Sequence, residues 1–205
     1  TPMGCAVACC WRWRPCLAAM GMAVLLTVMP RAHAVSWQID GAQSVARFAL
    51  RGPWLVPIEG RFAHIEGRVH PDADETRFDV NIRIAAGSVL MRRDSYESWA
   101  RSAEFFDVEQ HPWIEFTATD VPRLLLLEGG ELRGDLQLRG RKRPVVLTMQ
   151  ASRCDTPGLA CPVAATGDID RSDFGMQARR WLIGDHVRLE FEFLLKSEAK
   201  GDGSP

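Results

Sequence analysis

The chain has 205 residues, 46% of them hydrophobic and 25% charged, with 25 Lys and Arg against 26 Asp and Glu and a formal net charge of −1. That length holds one domain or at most two, and the composition excludes a disordered or fibrous protein. The charges are interspersed with no basic excess to follow a phosphate backbone, so no nucleic-acid partner is expected.

The first 34 residues read as an address. They hold four of the six cysteines (Cys5, Cys9, Cys10 and Cys16), three arginines (Arg12, Arg14 and Arg31) and no acid. A basic stretch around Trp11 to Arg14 precedes an apolar run from Leu17 to Met29. Pro30 then leads to Ala32-His33-Ala34, a small-x-small triplet that suits signal peptidase. Residues 1–34 are therefore read as a cleavable Sec signal peptide, with Met3 a candidate start and the exported, periplasmic chain beginning near Val35. The apolar run is too short for a membrane anchor, which needs about 20 residues. No cysteine follows it for lipid attachment, and the arginines are not paired as in a twin-arginine signal. Removing this segment takes three arginines with it and leaves 171 residues with a net charge of −4. The expected organisation is one domain over 35–199 and a flexible polar tail over 200–205.

After Val35 the dominant period is two, the mark of strands with one dry face. Ser44 to Arg51 sets Ala46, Phe48 and Leu50 against Arg47 and Arg51. Ile58 to Val69 follows more weakly, and Arg77 to Ile84 sets Phe78, Val80, Ile82 and Ile84 against Arg77, Asp79, Asn81 and Arg83. Weaker alternation recurs at Trp113 to Val121, Glu131 to Arg139, Pro144 to Ala151 and Val163 to Asp170. Val187 to Phe193 closes the series with Val187, Leu189, Phe191 and Phe193 on one face. Turn signals separate these runs at Gly52-Pro53, Pro71-Asp72-Ala73-Asp74, Glu128-Gly129-Gly130 and Gly184-Asp185. One stretch breaks the period: from Asp94 to Ala103, Tyr96, Trp99, Ala100 and Ala103 recur at three and four, predicting a short helix capped by Asp94 or Ser95. The expectation is an all-β fold, an antiparallel eight-stranded barrel with one short helix, whose interior is filled by side chains or holds one small ligand.

Export changes the meaning of the two remaining cysteines. In an oxidising compartment Cys154 and Cys161 form an even pair bracketing the turn-rich Asp155-Thr156-Pro157-Gly158-Leu159-Ala160. We read them as a structural disulfide. Six intervening residues and a single cationic neighbour, Arg153, do not suit a redox-active pair.

No motif announces catalysis. His64, His70, His111 and His186 are scattered without metal-ligand spacing, so no metal is expected, and there is no phosphate loop or nucleophile elbow. Asp168, Asp170 and Asp173, or Asp94 beside Arg92 and Arg93, are carboxylates that acid–base chemistry would need to bury. The plainer reading has them facing water or pairing with Arg171 and Arg179. Trp37, Trp54, Trp99, Trp113 and Trp181 suit plugs and rim residues of a β-core better than stacking platforms, since no basic groove accompanies them.

The order of motifs is more specific than the pattern. Trp37-Gln38-Ile39-Asp40, then Ser44-Val45-Ala46-Arg47-Phe48 and Ile58-Glu59-Gly60-Arg61-Phe62, resemble the opening of the YceI family of lipocalin-like periplasmic proteins. Arg93-Asp94, Arg101-Ser102-Ala103-Glu104-Phe105-Phe106-Asp107-Val108 and His111-Pro112-Trp113-Ile114-Glu115-Phe116 resemble its central run. Gly134 to Gly140 before Pro144-Val145 resembles its later hairpin, and Arg171-Ser172-Asp173-Phe174-Gly175-Met176 its last turn. The chain departs from the family where a His-Leu pair is replaced by Ser95-Tyr96-Glu97-Ser98-Trp99, and in the Cys154 to Cys161 insert.

The resemblance implies an eight-stranded lipocalin-like barrel that holds a polyisoprenoid, such as a quinone tail or prenyl alcohol, in an apolar pore without chemical turnover. The lining would then be Phe48, Leu50 and Phe62 from the first strands, Val80, Ile82 and Ile84 from the third, and Phe116 from the fourth. Leu136, Leu138, Val145 and Leu147 would follow from the central hairpin, and Leu189, Phe191 and Phe193 from the last strand. Polar groups at the mouth would be Arg93, Asp94, Arg171 and Asp173, with Trp99 on the helix beside it. A homodimer is common in the family. Two other readings compete with a carrier: a lipid isomerase or hydrolase using Asp94 or Asp173, and a structural or stress-response barrel with no ligand.

Overall fold

The computed structural model describes residues 36–197. The signal peptide read over residues 1–34, its processing point near Val35 and the tail over 200–205 lie outside the described residues. Twelve strands form, in chain order β1 (Trp37–Ile39), β2 (Val45–Arg51), β3 (Pro57–Phe62), β4 (Ile65–Pro71), β5 (Arg77–Ala85), β6 (Val89–Met91), β7 (Trp113–Pro122), β8 (Gly130–Leu138), β9 (Arg141–Met149), β10 (Val163–Asp170), β11 (His186–Phe193) and β12 (Leu195–Ser197). Helix α1 (Asp94–Arg101) lies between β6 and β7, and helix α2 (Leu124–Glu128) between β7 and β8. The fold is all-β: one antiparallel sheet curled around its apolar face.

The expectation of an eight-stranded closed barrel is corrected. The hydrogen-bonded order is β12-β1-β4-β5-β7-β8-β9-β10-β11-β2-β3-β6, running from one edge to the other. The expected run Ile58 to Val69 divides into β3 and β4, and β1, β6 and β12 are three short strands that the alternation did not reveal. The cause is bending. Where a strand turns to follow the curl, its ladder breaks and the freed backbone groups need other partners. The buried Ser44 repairs one break, its hydroxyl accepting from the Leu194 N–H at 3.1 Å, while the Asp40 N–H bonds the Leu194 carbonyl at 2.8 Å. Ser88 repairs another: its hydroxyl accepts from the His64 N–H at 3.0 Å and donates to the Ala85 carbonyl at 2.7 Å, and its own carbonyl takes the Ala63 N–H at 3.0 Å.

Helix α1 forms where the spacing predicts it, although Arg93 is its N-cap and no side chain caps it. Glu97 accepts from the Met91 N–H at 2.9 Å, and Arg101 donates to the carbonyls of Gly87 and Val89, so the helix covers the short edge strand β6. Helix α2 is a second helix that the sequence reading did not anticipate. It consists of four leucines and a glutamate and stops at Gly129, whose φ of 75° suits glycine. Among the described residues, no helix is long and apolar enough to cross a membrane.

Cys154 and Cys161 are joined by a disulfide. The loop it closes is pinned to the sheet, because the Leu195 N–H donates to the Gly158 carbonyl and the Gly158 N–H to the Cys161 carbonyl at 2.8 Å. In the chain-entropy model a bridge closing so short a loop stabilises by about 2–3 kcal/mol. Replacing both cysteines by serine is expected to lower the unfolding free energy by that amount in urea titration.

Candidate functional site

The inner face of the sheet encloses a cavity of about 260 Å³, close to the lower end of the ~300–1,000 Å³ usual for ligand sites. All fourteen inward positions read from the alternation and the resemblance line it. They comprise Phe48 and Leu50 on β2, Phe62 on β3, Val80, Ile82 and Ile84 on β5, Phe116 on β7, Leu136 and Leu138 on β8, Val145 and Leu147 on β9, and Leu189, Phe191 and Phe193 on β11. Two glycines widen the space by letting aromatic rings lie against the sheet. The Phe48 ring occupies the place a Cβ at Gly60 would take, at 2.4 Å, and the Phe116 ring that of a Cβ at Gly134, at 2.6 Å.

The registers define the cavity's two ends. Trp37 pairs with Val69 and Ser197, Arg77 with Pro122, and Gly130 with Met149, which gathers the β4–β5 turn, α2 and the disulfide loop at one end. Arg51 with Pro57, Leu138 with Arg141 and Asp170 with His186 mark the other. At this second end Phe105, Phe106, Met176 and Arg171 line the cavity and are all buried, so it is sealed. Phe106 is the centre of the plug, its ring within 6 Å of the Phe48, Phe62 and Phe105 rings. At the first end Arg123, Leu127, Asp155, Thr156 and Leu159 both line the cavity and are exposed. The cavity opens there, between α2 and the disulfide loop.

Four of the five residues expected at the mouth stand apart from the cavity. Arg93, Asp94 and Asp173 are exposed, Trp99 is half-buried, and none of the four lines the cavity. Arg93 lies over Tyr96, and Trp99 donates to Glu104 at 2.7 Å beneath Arg179. Arg171 does line the cavity, yet it is fully buried with its guanidinium turned to backbone. It donates to the carbonyls of Met176, Ala178, Ile183 and Gly184 at 2.7–3.2 Å, holding the loop that brings Met176 over the closed end. Burial lowers its pKa below the usual arginine value while Asp185, 3.9 Å away, works against that shift; the group stays charged.

Phe105, Phe106 and Met176 at the plug and Leu126, Leu127 and Leu159 at the rim were not read as lining. The first three stand in the motifs that carry the family resemblance; the others lack any period-two signal. Of the tryptophans, Trp37 lines the cavity, Trp113 lies under Arg83, and Trp54 and Trp181 are exposed at the closed end. Asp168 and Asp170 flank the exposed His186 at 3.2 and 3.4 Å rather than Arg171. Among the described residues no three His, Cys, Asp or Glu side chains are grouped to hold a metal.

The family model of the YceI-like domain matches residues 37–195. The chain belongs to the YceI family. A protein YceI of Salmonella arizonae is 30% identical over 167 residues, covering 76% of this chain and 83% of that protein. A UPF0312 protein of Vibrio cholerae is 26% identical over 171 residues, covering 78% and 88%. Among solved structures, a polyisoprenoid-binding domain from Saccharophagus degradans implicated in plant cell wall breakdown superimposes with a TM-score of 0.61 at 16% identity, covering 80% of this chain and 99% of that one. At that identity the likeness is one of fold. Within the YceI fold of this chain, Arg171 and Asp173 serve as contrasting tests. Arg171→Met leaves two buried and two part-buried carbonyls unpaired and is expected to cost about 3–5 kcal/mol of unfolding free energy, whereas Asp173→Asn is expected to leave the urea midpoint unchanged.

Proposed function

We propose that this protein is an exported, periplasmic carrier that holds the hydrocarbon tail of a polyisoprenoid, such as a prenyl quinone or prenyl alcohol, without chemical turnover. The observation that carries this reading is the cavity itself. Five of its lining residues have polar side chains: Arg123, Asp155 and Thr156 are at the rim, Arg171 is bound to backbone, and Arg47 pairs with Glu192 at 3.4 Å. The remaining wall is aliphatic and aromatic, the environment an isoprenoid tail needs in an aqueous compartment. Each CH₂ withdrawn from water contributes about 0.8 kcal/mol, and ordering the flexible chain offsets much of the total. The tail would enter at the rim and end against Phe106 and Met176, leaving the headgroup near Arg123 and Thr156. The shared fold of the Saccharophagus polyisoprenoid-binding domain supports the same ligand class.

The competing readings have less support. Asp94 and Asp173, the carboxylates a lipid-modifying enzyme would use, are on the outside of the closed end, away from the cavity. A ligand-free barrel would have Phe48, Phe116 and Phe191 meeting across the interior; instead Phe48 contacts Phe62 and Phe106, and Phe191 stacks on Phe193. The test is a titration with geranylgeraniol followed by intrinsic fluorescence. Leu136→Arg places a charge in the cavity wall and is expected to weaken binding at least tenfold, while Asp173→Asn binds as wild type. Equal affinities for wild type and Leu136→Arg would refute the site.

A further inference from the structure

Three leucines at the rim are exposed to solvent. Leu124 is 55% exposed, Leu127 40% and Leu159 45%, on two separately built lips, α2 and the disulfide loop. The other two leucines of α2, Leu125 and Leu126, pack against the core. This five-residue helix therefore carries leucine on its wet side as well as its dry one. Leu127 and Leu159 are at once cavity wall and outer surface, so the apolar lining continues out through the opening.

Beside the rim Arg123 pairs with Glu75 at 3.4 Å and Arg77 with Asp120 at 2.7 Å, while Asp155 and Glu128 stand exposed. The rim therefore offers exposed aliphatic groups with charged groups beside them, and the aliphatic groups are the ones that continue into the cavity. Such groups suit the acyl region of a bilayer, where a few inserted side chains give weak, reversible attachment. A folded protein seated across both lips would cover the opening, whereas a bilayer seated there supplies or receives an apolar cargo through it.

We propose that this rim is a membrane-docking surface, with Leu124, Leu127 and Leu159 entering a lipid bilayer so that the cavity mouth faces the acyl chains and cargo passes without crossing water. The cargo, and with it the choice of a bilayer over a folded protein, rests on the carrier reading above; the exposure of the three leucines does not. The opposite end provides an internal contrast. Trp54, 96% exposed, and Trp181, 86% exposed, stand on loops joined by the Gly184 N–H bond to the Arg51 carbonyl at 2.8 Å. That end is sealed by Phe105, Phe106 and Met176, so a bilayer docked there would meet a closed wall.

Co-sedimentation with phosphatidylcholine vesicles separates these possibilities, using purified wild type and variants that share the same N-terminal residues. Leu124→Glu with Leu127→Glu, and separately Leu159→Glu, are expected to lower the vesicle partition coefficient at least tenfold, while Trp54→Glu and Trp181→Glu change it less than twofold. Circular dichroism melts that match wild type show that the variants fold. Rim variants that partition like wild type, or a loss confined to the tryptophan variants, overturn the proposal. So does rim-dependent self-association in sedimentation velocity without vesicle binding, which assigns the rim to a second copy of the chain. Geranylgeraniol uptake is measured in parallel. Rim-dependent partition without uptake leaves docking standing and removes the carrier reading, whereas uptake without rim dependence does the reverse.

Discussion

A sheet that curls around an apolar space has to bend its strands, and a bend that breaks the ladder frees N–H and C=O groups that need other partners. An unpaired backbone group facing that space costs about 1–3 kcal/mol and would make the cavity polar. The rest of this structure depends on pairing those groups elsewhere. Ser44 and Ser88 pair such groups at two breaks outside the cavity lining, the first part-buried and the second partly open to water. Arg171 does so on a larger scale, binding the carbonyls of four residues in the loop before β11. The only fully buried charged side chain in the described core is thus a backbone brace, and its work leaves Met176 free to close the cavity with hydrocarbon.

The interior was legible in the sequence because alternation along a strand reports which face is dry. Phe78-Val80-Ile82-Ile84 and Val187-Leu189-Phe191-Phe193 put every second side chain on one face, and the cavity lies on that face. The strand count was not legible. Two of its breaks fall where a serine hydroxyl takes a freed backbone N–H, and period two says nothing about that. Helix α2 escaped for a related reason: Leu124 to Leu127 are uniformly apolar, so they carry neither a helical nor a strand period.

Which residues between strands border the cavity was less legible. Arg93, Asp94, Arg171 and Asp173 stand between strands, as mouth residues must, but residues between strands occur at both ends of the sheet. Chain order alone does not tell which end is plugged. The plug depends on a long-range meeting of Phe106, from the segment after α1, with Phe48 and Phe62 on β2 and β3. The resulting asymmetry, one end sealed by aromatics and the other edged with exposed leucines, gives the cavity a direction.

The central claim is that the cavity exists to hold an isoprenoid tail. Native mass spectrometry of the gently purified protein tests it most directly. The account predicts a population heavier than the bare chain by the mass of an isoprenoid lipid, lost on organic extraction and restored when a prenyl quinone is offered. A protein found only at its bare mass, and unable to take up a prenyl quinone, would contradict it.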